Sequence, residues 1–236
     1  MSVALITGAS RGIGAASARC FAKAGYSLLL IARPSPDFTN GAEALRAEGC
    51  HVETAGIDLA DPAAIASGVG ELCSRGLQPS VVVNNAGSAW TGPLAEMPLD
   101  QWQRLLQLNL TSVFQICQVV VPLLRKAGGG LIVNVSSHAA RQAFPDWGAY
   151  CTSKAALASF SRCLAEEERA HGIRVSTLTL GSVNTPLWDS ETVQSSFDRR
   201  AMLSADQVAR TLLYLAEQPH HQVVEDLTLM PAVGAF

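Results

Sequence analysis

The chain is short of charge. Only 16% of its 236 residues are Asp, Glu, Lys or Arg, while 48% are hydrophobic, a balance that excludes a disordered or highly solvated chain. It has no basic stripe: net charge is −3, and the run Glu166–Arg169 reads as the solvated end of a helix. Neither a nucleic acid nor a membrane is therefore expected as a partner. It lacks a Cys-x-x-Cys pair, and its six cysteines, at 20, 50, 73, 117, 151 and 163, read as reduced core thiols of a cytoplasmic protein. Its five histidines have no metal-ligand spacing, so no metal is expected. No basic segment precedes the first glycine, and no run reads as long and apolar enough to cross a bilayer, so neither a signal peptide nor a span is expected. Lysine is scarce, three against fourteen arginines, and so is tyrosine, with three.

What is present is alternation. Strand-length apolar runs fall at 3–6, 27–31, 51–57, 81–83, 131–135, 175–180 and 227–230, separated by helical patterns at 12–24, 41–48, 62–75, 99–125, 147–170 and 205–217. Most of the strands are continuously apolar, as strands covered on both faces are. Repeated strand–helix alternation predicts right-handed βαβ units and one doubly wound α/β sheet. No linker or repeat interrupts it, so a single domain over 1–236 is expected. The least regular stretch, 181–203, follows the end of a strand, where such sheets bind ligands.

Three motifs stand out. The first strand runs directly into Thr7-Gly8-Ala9-Ser10-Arg11-Gly12-Ile13-Gly14, a glycine loop opening a helix, where free N–H groups and a partial positive charge suit a pyrophosphate. Asn85-Ala86-Gly87 follows the fourth strand, and Tyr150-x-x-x-Lys154 sits on the fifth helical pattern. In this order and over the whole chain, the motifs resemble those of the short-chain dehydrogenase/reductases in their compact one-domain branch. The resemblance implies a Rossmann-type three-layer sandwich, with a seven-stranded parallel sheet in the order 3-2-1-4-5-6-7 and helices on both faces. It also implies a nicotinamide cofactor, held by the glycine loop, by Asn85, Ala86 and Gly87, by Tyr150 and Lys154, and by Gly181, Val183 and Thr185 beyond the sixth strand.

The second strand ends in Ala32-Arg33, where a site selective for NAD usually places an acid for the ribose 2′-hydroxyl. Arg33, with Arg11 in the loop, suits a 2′-phosphate, so NADP(H) is expected. Either arginine alone also reads as a solvated loop cation. Asp58 either begins a loop or, by resemblance, accepts from the adenine amino group.

Carbonyl reduction needs a proton donor within hydrogen-bond reach of the developing oxyanion. Tyr150 and Lys154, four apart, share a helix face, and a neighbouring ammonium is expected to lower the phenol. Only Tyr150 among the tyrosines has a lysine four residues on. Ser137, thirteen residues before Tyr150, has the family's spacing for holding the substrate carbonyl. Ser136 is its rival, facing the other way if the strand continues. Asn109, in an apolar helical stretch, is by resemblance the holder of a water that links Lys154 to solvent, and otherwise a satisfied core amide.

Two features depart from the family. Leu180 stands where a proline precedes Gly181, which predicts a less rigid loop, and the C-terminus lacks the usual Gly-Gly step. Trp90, Phe144, Trp147, Trp188 and Phe197 surround the expected substrate pocket, with His138 and Arg141 as polar options, and lean toward an apolar ketone or aldehyde. The reading is an NADPH-dependent reductase of small carbonyl substrates. Its rivals are a non-catalytic NADP(H)-binding redox sensor and a reductase of 3-oxoacyl thioesters, for which Arg199-Arg200 is the one local basic face. Resemblance further implies a homodimer or homotetramer built through 99–125 and 147–170.

Overall fold

The computed structural model describes residues 2–194 and 197–234, so two residues of the 181–203 loop, 195 and 196, lie outside it. In chain order the strands are β1 (Val3–Thr7), β2 (Ser27–Ala32), β3 (Val52–Gly56), β4 (Val81–Asn84), β5 (Gly130–Ser137), β6 (Ile173–Leu180), β7 (Val183–Asn184), β8 (Leu203–Ser204) and β9 (Asp226–Leu229). All but β7 and β8 join one parallel seven-stranded sheet in the order β3-β2-β1-β4-β5-β6-β9, and β7 and β8 pair in a separate ribbon. Each strand expected from the sequence is present, within two residues at either end. The ribbon was not expected, because two-residue strands leave no periodic signal.

The helices are α1 (Gly12–Lys23), α2 (Pro36–Ala47), α3 (Pro62–Ser74), α4 (Leu99–Leu106), α5 (Ser112–Lys126), α6 (Gly148–Glu168) and α7 (Ala205–Ala216). They cover both faces, and the two-residue period of the strands decides which side chain meets which layer. Ala4, Ile6, Leu28 and Leu30 pack with Phe21, Leu45 and Leu212 of α1, α2 and α7. Val3, Leu5, Leu29 and Ile31 pack with Leu72, Ile116 and Leu157 of α3, α5 and α6. This is the doubly wound Rossmann-type architecture.

Three expectations are corrected. Helix α2 begins at Pro36 rather than residue 41, because the Ser35 hydroxyl accepts from Phe38 N at 3.2 Å and proline starts the first turn. The stretch 99–125 is not one regular helix: a π turn at Gln107–Thr111 joins α4 to α5, and the combined Leu99–Lys126 is long and apolar enough to cross a membrane by length and composition. Many of its apolar residues, among them Val113, Ile116, Val120 and Leu124, are buried in the core, while Leu99 and Phe114 are exposed. Of the cysteines, only Cys73 and Cys117 are buried, while Cys163 is exposed and the others are half-buried.

Candidate active site

Strand β1 lies between β2 and β4, where the strand order reverses, and a crevice opens at the C-terminal ends of these strands. The Thr7 hydroxyl ties its two lips together by accepting from Asn85 N and Ala86 N, both at 3.0 Å. Asn85 Nδ2 returns a bond to the Thr7 carbonyl at 2.9 Å. The glycines are dictated by contact. Gly8 has φ +67°, and a Cβ on it would lie 2.9 Å from Asn85 Nδ2. A Cβ on Gly14 would lie 2.1 Å from the Gly8 carbonyl oxygen. Helix α1 starts behind this loop with neither a side-chain cap nor an acid in its first turn. Its first N–H groups therefore suit an anion.

The crevice has a volume of about 440 Å³. Of the expected site residues, only Gly14 and Asn109 do not line it: Gly14 packs behind Gly8, and Asn109 behind Gly87. At one end stand Arg11 and Arg33, both exposed and without an ion pair among the described residues. Asp58 faces them. Its Oδ1 accepts from Ala60 N at 3.0 Å, as in a loop start, and its Oδ2 pairs with Arg104 at 3.1 Å. Burial works against this carboxylate, but the Ala60 N–H, Arg104 and Arg33 outweigh it and hold Asp58 below its ordinary range. Arg104, projecting from α4 into the crevice, escaped the sequence reading, because its partner lies 46 residues away and a lone helix arginine carries no signal.

At the other end the structure brings Ser137, Tyr150 and Lys154 together on the crevice wall. Strand β5 runs on through Ser137, so its alternation turns the Ser136 side chain the other way; Ser136 also lines the crevice but is buried, with its hydroxyl 3.5 Å from the Lys154 carbonyl. Ser137 keeps its side chain at the crevice, where Oγ accepts from Ala139 N at 3.2 Å and acts to lower the neighbouring Tyr150 phenol. Lys154 is 5% exposed and donates to the Val135 carbonyl at 2.9 Å. Burial pushes its ammonium down to about 8.

The expectation that Lys154 lowers the phenol is not met. Burial pushes Tyr150 up, with Ser137 opposing, and Lys154 is not among the groups acting on it. The physical reason is order of titration: an ammonium near 8 is already neutral when a raised phenol ionises.

Asn109 sits in the π turn, 1% exposed. Its Oδ1 accepts from Ser88 N at 2.9 Å, and its Nδ2 donates to the Ser88 carbonyl at 2.9 Å and to Ser153 Oγ at 3.0 Å. The amide thus has protein partners on both its oxygen and its nitrogen, which lock the 88 loop against α6. An extra residue in a helical turn is a common device at functional sites, and it has no sequence signature.

Beyond β6 the loop is tied to its neighbours at several points. Leu180 stays in register with Ser137 on one side and Leu229 on the other. Leu203 N donates to the Ser182 carbonyl at 3.0 Å beside the β7–β8 ribbon. A Cβ on Gly181 would meet Pro231 at 2.6 Å. Thr185 Oγ1 accepts from Leu187 N at 3.4 Å, which leaves its own O–H free to donate. Of the aromatics, Trp90, Trp147 and Trp188 line the crevice, while Phe144 and Phe197 do not. The polar options turn away: Arg141 binds Asp226 and Thr228, and His138 binds Gln142. Arg199 binds Asn184, Asp189 and the Thr185 carbonyl.

Comparison with known proteins agrees with this geometry. A family model described as short chain dehydrogenase matches residues 2–195. The D-threitol dehydrogenase of Mycolicibacterium smegmatis is 34% identical over 91% of this chain and 85% of its own. A metagenomic short-chain oxidoreductase solved with NADP is 31% identical, with a TM-score of 0.85 over 98% of this chain and 97% of that one. The L-sorbose reductase of Gluconobacter frateurii, solved with NADPH and L-sorbose, is 28% identical, with a TM-score of 0.87 over 98% of this chain and 95% of that one. The chain belongs to the short chain dehydrogenase family.

Proposed function

We propose that this chain is an NADP(H)-dependent oxidoreductase that interconverts a small ketone or aldehyde and its alcohol, with Tyr150 as the proton donor and 1–236 as one catalytic domain. The observation that carries the reading is the convergence of Ser137, Tyr150 and Lys154 on the crevice whose far end is the glycine loop. The cofactor assignment rests on fit. The uncapped start of α1, the contacts that leave no room for Cβ atoms at Gly8 and Gly14, and the unpaired Arg11 and Arg33 match a dinucleotide with a 2′-phosphate. The NADP- and NADPH-bound relatives support the same reading.

Bound there, the nicotinamide supplies the hydride that reduces a carbonyl. Arg33 and Arg11 would hold the 2′-phosphate, and Asp58, kept ionised by the Ala60 N–H and Arg104, would accept from the adenine amino group with the lone pairs its turn leaves free. Ser137 Oγ donates to the substrate oxygen, and Tyr150 transfers its phenolic proton to that oxygen as charge develops. A phenol held protonated by burial is suited to donate in the reducing direction. The Lys154 ammonium, which donates to the Val135 carbonyl in this structure, would hold the ribose hydroxyls of a bound cofactor and so set its orientation. The assembly proposed by family resemblance is a homodimer or homotetramer through 99–125 and 147–170, where Phe114, 45% exposed, stands edge-on against Phe160 of the same chain.

NADPH oxidation against a panel of aldehydes, ketones and acyl thioesters tests the reading. Turnover is expected with neutral carbonyls, and Tyr150→Phe is expected to keep NADPH binding while losing about 100- to 10,000-fold in kcat. Comparable turnover in that variant removes Tyr150 as donor.

A further inference from the structure

We propose that the substrate is a neutral aryl ketone or aryl aldehyde, seated with its ring against Trp147 and Trp188. This deepens the reductase reading above and rests on it for the chemistry. The aromatic wall begins at the reacting phenol itself. The Tyr150 ring meets Trp147 edge-on at 5.6 Å between centroids, Trp147 meets Trp188 at 5.6 Å, and Trp188 meets Phe197 at 5.7 Å. A carbonyl placed at the Tyr150 hydroxyl therefore directs its substituent along this series of rings. Both tryptophans line the crevice, so they face a ligand as well as one another.

Several polar groups of the same chamber are spent inside the protein, although the Ser182 Oγ on its wall is buried without a hydrogen-bond partner among the described residues. Trp188 Nε1 donates to the Val183 carbonyl at 2.8 Å, Ser190 Oγ to Leu187 O at 2.7 Å, and Thr192 Oγ1 to Ala89 O at 2.7 Å. A hydroxyl-rich substrate would lose its water there and find, beyond the hydroxyls of Ser182 and Thr185, few partners to replace it. Charge is absent too. Among the described residues lining the crevice, Arg11, Arg33, Asp58 and Arg104 gather at the far end, and Lys154 is the other ionisable cation. A carboxylate or sulfonate beside Trp188 finds no free cation among the described crevice residues, since the neighbouring Arg199 is bound to Asn184, Asp189 and the Thr185 carbonyl.

The chamber is also pre-shaped. Thr91 N donates to Thr192 O at 2.9 Å, and Gln194 N donates to Thr91 Oγ1 at 2.8 Å, which straps the 186–194 segment to the 88–92 loop. Gly92 N in turn binds Asp146 O at 2.9 Å, and Asp146, at φ 65°, makes the turn that delivers Trp147. Held in place before substrate arrives, these rings select for shape and polarity without a closing step.

The test uses the NADP-loaded full chain and three ketones: 2-acetylnaphthalene, L-sorbose and acetoacetate. With NADPH, kcat/KM for the aryl ketone is expected to exceed the other two by about 100-fold or more. Titration of the NADP+ complex with 2-acetylnaphthalene is expected to quench tryptophan fluorescence saturably. Trp188→Ala should weaken that binding roughly tenfold, and Trp188→Phe, which keeps a ring, should retain most of it. Equal or better turnover of L-sorbose or acetoacetate overturns the proposal. So does unchanged aryl affinity in a Trp188→Ala variant whose circular dichroism matches the parent. Saturable quenching that depends on Trp188, without turnover of any carbonyl, supports the aryl site and sinks the reductase reading instead.

Discussion

The Lys154 ammonium donates to the Val135 carbonyl at 2.9 Å and lies 5.8 Å from the centre of the Tyr150 ring. Among the described residues no carboxylate pairs with it, and the residue is 5% exposed. Keeping a lysine at about 8 rather than 10.5 costs the native state about 3 kcal/mol at neutral pH. Losing the bond to Val135 would return about 1 kcal/mol of that as a new penalty. Lys154→Met is therefore expected to stabilise the cofactor-free protein by about 2 kcal/mol while abolishing turnover. Differential scanning calorimetry at pH 7 should show a Tm higher by about 5 °C, and a lower Tm would contradict the account. The sign with pH follows from the depressed value. The unfolded chain binds the proton more tightly, so the penalty is full below pH 8 and is relieved as pH rises toward 10.5.

The same group sets an upper limit on working pH. If the ammonium orients the cofactor's ribose, its charge must be present when cofactor binds. Since kcat/KM for NADPH reports ionisations of the free enzyme, it should fall as pH rises through about 8, the value to which burial pushes Lys154. A profile that stays flat to pH 10 would detach Lys154 from cofactor binding. The acid side carries no corresponding fall from the phenol, because Tyr150 is raised and stays protonated throughout.

Much of this arrangement was legible in the sequence because it follows from simple periods. Continuous apolar runs announced strands buried on both faces, and the strand positions of Leu5 and Leu29 against Ile6 and Leu30 then followed from alternation. The four-residue spacing of Tyr150 and Lys154 placed them on one helix face, and the run of β5 placed Ser137 and Ser136 on opposite sides. What stayed hidden depends on contacts distant in sequence or on backbone irregularity. The Asp58–Arg104 pair joins a loop to a helix, and the π turn that buries Asn109 is an insertion without a compositional mark. The direction of the Tyr150 shift was missed for another reason: spacing fixes neighbours, but burial decides which neighbour still carries charge.

Selectivity for the 2′-phosphate is expected to reside mainly in Arg33. It stands at the end of β2, exposed, beside the buried Ala32 where an acid would repel phosphate. A charge-assisted bond lost and a repulsion gained amount to about 3 kcal/mol, or roughly 100-fold. Arg33→Asp should thus lower the NADPH/NADH ratio of kcat/KM by about that factor, measured on one carbonyl substrate. Arg104→Gln gives a contrasting result: by freeing Asp58 at the adenine end, it should weaken NADPH and NADH alike. An Arg33→Asp ratio equal to the parent's would remove the phosphate argument.

Helix packing beneath the site depends on an unequal pair. Glu168, with its side chain 3% exposed, accepts two bonds from Arg125, at 2.7 and 2.5 Å, while the Arg125 side chain is 45% exposed. Removing the two partners should therefore have different costs. Arg125→Ala strands a carboxylate inside the protein, which costs about 3 kcal/mol or drives the carboxyl to take up a proton. Glu168→Gln leaves an arginine that water already reaches, at about 1 kcal/mol. Arg125 holds Glu168 below its ordinary range, so its contribution is present above the unfolded carboxyl's value and is lost as pH falls through the lowered one. Urea unfolding of both variants at pH 7 and again at pH 4 tests this. Arg125→Ala should be the weaker at pH 7, and its deficit should shrink at pH 4, where the unpaired carboxyl is protonated. Equal losses in the two variants would mean that the pair is a surface contact with no buried member.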